Sequence, residues 1–416
     1  MKTKLIICLF LIFLTSLQTI TGQPEEKKSV GIDFSGFVRT DFFYDSRKTF
    51  HALEGLVLWY PLDKKPDRYG HDLHEVSSVG LLSISSRLQG SINGPEFLGA
   101  ETSAFIEFDF TGRSNTASVR YRQGWIKLAW ERSELLAGRA WHPLFVEECF
   151  PSVRSVNIGL PFQVFNRSPQ VSLSYKLTKK TEISGSFIYQ SDYLNYGPLG
   201  KRPDYLRNAK TPNINLALKY HSKHFSAGIM GDFKQLVPET EAVSPVDSLS
   251  TKTREQVNSL SGLAYVKYQN RNILCKAKAM FGQNLSDMLL PGGYAIREIN
   301  NLTGEKKYTP SNNLYLWANF VYGHRLKGGI FAGYTKNYGF SHSSISEIYT
   351  LLDPSIDEIY RISPQIRYEK NRLGLSAELE YTSASYGNID YNDYGKVKNK
   401  HTISNTRILL TLNYKF

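Results

Sequence analysis

The stretch 406–416, TRILLTLNYKF, decides the fold. Counting back from Phe416, Tyr414, Leu412, Leu410 and Ile408 share its parity. Lys415, Asn413, Thr411 and Arg407 take most of the other places, with Leu409 the exception. Side chains alternate across a strand, so one face here is apolar and the other polar. A soluble edge strand alternates in the same way, so the remainder of the chain has to show whether the oily face needs a membrane.

Residues 1–22 read as a signal peptide: a charged MKTK, an apolar LIICLFLIFL, and a small and polar TSLQTITGQ with cleavage expected near Gly22. Cys8 lies inside the apolar run rather than after it, unlike a lipoprotein cysteine. Residues 23–31, QPEEKKSVG, form a short periplasmic lead-in, and 32–416 follow as one unit. No later apolar run is long enough for a spanning helix, so an exported chain of this length is either soluble or a barrel. Cys149 and Cys275 do not make a disulfide scaffold. The formal charge of +12 falls to +10 without Lys2 and Lys4. It is spread along the chain with no basic tail, which argues against nucleic acid and for a surface or interior that attracts anions.

Strand follows strand. Sixteen segments carry the alternation: 32–47, 79–92, 102–110, 118–130, 134–142, 170–177, 182–190, 213–221, 225–235, 260–268, 273–282, 313–322, 328–336, 359–369, 373–382 and 404–416. In VSLSYKL, Val171, Leu173, Tyr175 and Leu177 oppose Ser172, Ser174 and Lys176; LGLSAELEY and INLALKY repeat the scheme. Tight turns (TKK, HSK, QNRN, HRLK, KNR) alternate with long connections near 191–212, 236–259, 283–312, 337–358 and 383–403. Tyrosines recur at strand ends (Tyr44, Tyr220, Tyr268, Tyr322, Tyr381, Tyr414), as an interfacial girdle requires. The expected fold is therefore all-β: a transmembrane antiparallel β-barrel of about sixteen strands, with long external loops and short periplasmic turns. Pro364 inside a strand counts against the pattern unless it marks a bulge.

At LLTLNYKF the chain resembles bacterial outer-membrane barrels, whose last strand commonly ends in phenylalanine. The resemblance implies that the barrel-assembly machinery reads this end, and that outer-membrane lipid and lipopolysaccharide surround the wall.

A sixteen-stranded barrel has a water-filled lumen. With the apolar faces in lipid, Arg39 and Asp41 point inward, as do Arg87, Arg120, Arg122 and Arg139. Clustered guanidiniums bind carboxylates or phosphates; the plainer reading pairs them with Glu107 and Asp109. Lys267, Lys276, Lys278, Arg361 and Arg367 face inward elsewhere. The connection HPLFVEECFPSVRSVNIGLPFQVFNR is too apolar for an exposed loop. Folded back into the barrel at about 143–169, it packs its oily residues on the wall and turns Glu147 and Glu148 toward the arginines, creating a transverse field.

The stretches GFVRTDFFYDSR, SVRYRQGW and LLAGRAWHPLF are similar to trimeric substrate-selective porins of the dicarboxylate type. The resemblance implies a homotrimer with Arg39, Arg87, Arg120, Arg122 and Arg139 lining the pore. The expected function is passive diffusion of small hydrophilic solutes, favouring anions such as carboxylates or phosphates, with no cofactor, no metal and no catalytic residues. Tyrosine-rich loops such as YGPLGKRPDYLRN keep a surface adhesin or structural barrel as the alternative. An outer-membrane hydrolase is a further one, since GHDLH near residue 70 is metal-like but lacks another ligand.

Overall fold

A computed structural model describes residues 31–112 and 117–416. The signal peptide and almost all of the lead-in fall outside the described residues.

Sixteen antiparallel strands form the wall. β1 is Gly31–Asp45; β2 has two halves, Ser78–Leu82 and Arg87–Asn93; β3 is Glu101–Asp109, β4 Arg120–Ala129 and β5 Ser133–Trp141. β6 is Arg167–Lys176, β7 Thr181–Ile188, β8 Asn213–His221, β9 Phe225–Leu236, β10 Val257–Gln269 and β11 Ile273–Gln283. β12 is Lys306–Gly323, β13 Leu326–Phe340, β14 Ile356–Lys370, β15 Leu373–Asp390 and β16 Lys396–Lys415. Each pairs with the next, and β16 returns to β1 in register from Phe37↔Lys415 to Asp45↔Arg407. Closure leaves no edge, as a bilayer demands of a sheet. Phe416 completes the seam: its amide donates to Gly36 O at 3.1 Å, and the Gly36 amide donates back at 3.2 Å.

The face assignment follows from burial. On β16, Ile408, Leu410, Leu412 and Tyr414 are 44% to 48% exposed, whereas Arg407, Leu409 and Thr411 are at most 6% exposed. β14 and β15 repeat this, with Ile362, Ile366, Leu375 and Leu379 outside and Arg361, Ser363, Glu378 and Glu380 inside. Apolar outside and polar inside is the arrangement of a protein dissolved in lipid. Leu409 is no anomaly: it packs in the lumen with Phe43 and Leu56. Tyr175, Tyr220, Tyr268, Tyr322, Tyr368 and Tyr414 stand outward at the short-turn end, while Tyr360 and Tyr381 pair at 6.0 Å nearer the other end.

The connections alternate. Short turns lie at 94–100, 130–132, 177–180, 222–224, 270–272, 324–325 and 371–372, and longer connections lie at the other end except at 391–395. One expectation changes, and a connection left undescribed gains structure. The connection 383–403 is mostly strand, because β15 and β16 continue as a hairpin past the membrane band. The segment 46–77 is a further long loop, carrying a hairpin of Thr49–Ala52 and Val57–Pro61. Pro364 makes no bulge. The β14–β15 ladder omits Ser363 and Pro364 and resumes in the same register, with the ring turned outward where no lumen partner is lost.

The core is the lumen itself. Residues 142–166 enter the barrel, and Leu144, Phe145, Val146, Cys149, Leu160 and Phe162 pack with Trp59 and Tyr60 against inward residues of β8–β16, including Met280, Trp317, Phe331 and Ile359. Gly333 on β13 makes room for this: a Cβ there would lie 2.4 Å from the Phe162 ring. Gly333→Val is therefore expected to cost about 1–3 kcal/mol by overpacking, read as a lowered unfolding midpoint of the refolded barrel in denaturant. An unchanged midpoint would show that the ring is free to move.

Candidate functional site

The inward faces of β2–β5 build a charged ladder. Register sets Arg87 opposite Asp109, Asp109 opposite Arg120, and Arg139 opposite Gly124. A bulge in β4 adds to it: Glu107 pairs with Gln123 and Phe108 with Tyr121, so Arg122 has no opposite number. Arg122 and the next residue, Gln123, are both buried inside. An extra residue re-aims side chains in this way.

The ladder is paired. Arg120 Nε and Nη2 donate to Asp109 at 3.1 and 2.7 Å. Arg122 Nε donates to Glu107 at 2.5 Å and its Nη1 to Asp109 at 2.6 Å. Arg87 Nη1 reaches Glu107 at 3.3 Å. Arg139 Nε donates to Arg122 O at 2.9 Å and its Nη2 to Asp192 at 2.5 Å. Burial alone would raise the Asp192 carboxyl, but the Arg139 hydrogen bond and charge outweigh it and hold it below the ordinary range. Asp192 therefore stays ionised at neutral pH.

The opposite wall is residues 142–166, held by donors at their carbonyls and acceptors at their amides. Lys278 Nζ donates to Leu144 O and Phe145 O at 3.0 and 2.8 Å, and Lys276 Nζ to Phe150 O at 2.9 Å. Glu378 accepts from the amides of Arg154 and Ser155 at 2.5 and 2.9 Å. Arg361 donates to Leu160 O at 2.7 Å. Between this segment and the ladder lies a space of about 830 Å³. None of its lining residues comes from β8–β16, because that half of the lumen is filled.

Arg87, Arg120, Arg122, Arg139 and Glu147 surround the space together. Two expected members stand elsewhere. Arg39 forms a pair with Asp41 at 2.7 Å and donates to Arg154 O at 2.5 Å, so it anchors the infolded segment. Glu148 is turned to the far wall. It accepts from the Tyr265 hydroxyl at 2.5 Å and lies 3.2 Å from His221 Nδ1, because Glu147 and Glu148 are neighbours that point opposite ways. Lys276, Lys278 and Arg361 likewise hold the segment rather than line the space. Cys149 and Cys275 are free.

Sequence reasoning missed Asp192 and Lys201, which arrive from the connection 189–212 and line the space. It also missed Arg167, fully buried, whose guanidinium lies 4.8 Å from the Trp141 ring and 5.0 Å from Phe165. Nothing in a loop sequence announces where its tip lands. The NRS start of β6 offered a basic residue but no parity. Among the described lining residues, Arg87, Arg120, Arg122, Arg139 and Lys201 face Glu107, Asp109, Glu147 and Asp192, five cations against four carboxylates.

No family model matches the chain, and no curated protein matches it significantly. Solved structures do. The outer membrane channel DcaP of Acinetobacter baumannii superposes with a TM-score of 0.67 at 14% identity, over 95% of this chain and 100% of that one. OmpT, an outer-membrane protein of Vibrio cholerae, gives 0.55 at 13%, over 95% and 100%. Salmonella typhi OmpF gives 0.50 at 10%, over 92% and 97%. The fold is the sixteen-stranded closed barrel that these outer-membrane channels and porins share.

Proposed function

We propose that this chain is an outer-membrane porin through which small hydrophilic solutes diffuse passively, with a modest preference for anions such as carboxylates or phosphates. The observation that carries the reading is the open half-lumen: about 830 Å³ between an ionised ladder and a clamped infolded segment. A barrel filled on one side and charged on the other selects by width and by charge. The anion preference rests on surplus donors. Asp109 accepts from Arg120, Arg122 and Thr111, which fills its oxygens, whereas each guanidinium carries five N–H donors. The assembly is a homotrimer in this reading, supported by the trimer form in which the Vibrio cholerae OmpT structure is described. Lipid and lipopolysaccharide cover the apolar belt, and the β16 end is what the assembly machinery would engage.

Planar bilayers with a salt gradient test this. The reversal potential is expected to favour chloride. A charge lost at roughly 8 Å, with an effective dielectric near ~40 in a wet lumen, is worth about 1 kcal/mol. Arg87→Gln with Arg120→Gln should therefore lower the chloride-to-potassium ratio several-fold. A cation-favouring potential in the unaltered protein would overturn the preference and give control to Glu147; absence of conductance would overturn the porin.

A further inference from the structure

We infer that the solutes this space takes best are zwitterions with an apolar side chain, namely free aliphatic or aromatic amino acids and the shortest apolar peptides. The inference rests on the porin reading and narrows its substrate class.

Charge is not of one sign: four guanidiniums on the β2–β5 wall exceed their partners Glu107, Asp109 and Asp192, and Glu147 comes from the infolded segment. Donors crowd the β2–β5 wall, where Arg87 and Arg120 keep 28% and 23% of their side chains exposed. Glu147 projects from the infolded segment, exposed, with no hydrogen bond to a described residue, and the charges acting on it are those of Glu107, Lys127 and Lys219. A simple anion satisfies the ladder but is repelled by Glu147, and a simple cation meets the opposite conflict. A zwitterion spans both: its carboxylate accepts from the guanidiniums and its ammonium faces Glu147. The near balance of lining charges means that a neutral dipole enters without an electrostatic penalty that either ion would carry.

The remaining lining gives the side chain its place. Leu53, Val57, Val156, Ile158, Leu289 and Leu351 border the same space, which a purely hydrophilic route does not need. Burying one apolar side chain there is favourable at about 25 cal/mol per Å². Stacking of a sugar needs a bare aromatic face, which Trp141 does not offer. Trp141 has Phe145 stacked on it at 3.9 Å and 9°, with the Arg167 guanidinium 4.8 Å from its ring. The volume lies within the range of about 300–1,000 Å³ usual for small-molecule sites.

The test is a competition inside one vesicle. Proteoliposomes of the full barrel are loaded with equimolar leucine, N-acetylleucine, serine and arabinose at pH 7, and release is followed by mass spectrometry. Leucine is expected to leave several-fold faster than N-acetylleucine, which lacks the ammonium, and than serine, which lacks the apolar side chain. Glu147→Gln is expected to remove the advantage over N-acetylleucine while the advantage over serine persists. Arabinose release with N-acetylleucine equal to or faster than leucine would overturn the zwitterion site and leave the porin standing, as would serine equal to leucine. No release of any solute would overturn the porin reading and this inference with it.

Discussion

Leu410→Arg is expected to destabilise the folded barrel by about 2–4 kcal/mol, the cost of an arginine on the lipid face near the bilayer midplane. Asn413→Arg, three residues further along β16, is expected to cost less, because that side chain turns to the lumen rather than to lipid, even with Arg39 opposite it. The contrast comes from parity and depth. Leu410 shares the exposed face with Ile408 and Leu412. It lies midway between Tyr414 at the short-turn end and Thr406, whose partner Tyr381 stands outward nearer the long-loop end. Asn413 points into the lumen and is only half-buried. Reversible denaturant unfolding in lipid vesicles reads both. Equal costs would mean that the oily face of TRILLTLNYKF does not meet hydrocarbon, and the face assignment of the whole wall would fail with it.

Period-two patterning made the wall legible. Where one face meets lipid and the other water, a one-residue slip would expose every side chain to the wrong solvent, so the register is written plainly. The segment 213–221 matches β8 residue for residue, and most other ends differ by a few residues. The long strands were cut short, 373–382 against Leu373–Asp390, because beyond the membrane band neither face is constrained to be apolar. The ladder was legible for the same reason as the wall: Arg87, Arg120 and Arg139 have inward parity. Arg122 was read inward without its cause, since a bulge leaves no mark in a single sequence. The acidic pair shows the limit. Glu147 and Glu148 were both turned to the arginines, but a loop has no period from which to choose, and tertiary partners decided: Tyr265 and His221 took Glu148. Long-range packing likewise recruited Lys276 and Lys278 to carbonyls of the infolded segment, a use that strand parity does not distinguish from lining a pore.

That recruitment makes Arg361 the position where fold and passage meet, and Arg361→Met is expected to cost about 3–5 kcal/mol, the usual consequence of removing one partner from a buried ionic network. Arg361 is 1% exposed. Its Nε donates to Thr382 at 2.7 Å, its Nη1 to Leu160 O at 2.7 Å, and its Nη2 to Leu58 O and Trp59 O at 3.3 and 3.1 Å. One guanidinium therefore ties β14 and β15 to both segments that fill the lumen, the hairpin of 46–77 and the infolded segment 142–166. Glu380 lies 3.8 Å away and would be left with Asn157 as its hydrogen-bond partner. The double change Arg361→Met with Glu380→Gln should recover part of the stability, because no unpaired charge is left behind. It should not recover quiet conduction, because the carbonyls of Leu58, Trp59 and Leu160 still lack their donor. Single-channel recordings are thus expected to show larger and noisier currents for both variants, as segments freed from β14 vacate the filled half. Lys276→Met, which releases only Phe150 O and Ser152 Oγ, should disturb the current less. If Arg361→Met unfolds no more easily and conducts as quietly as the unaltered barrel, the lumen filling is held by its apolar packing alone and the width of the passage does not depend on the clamp.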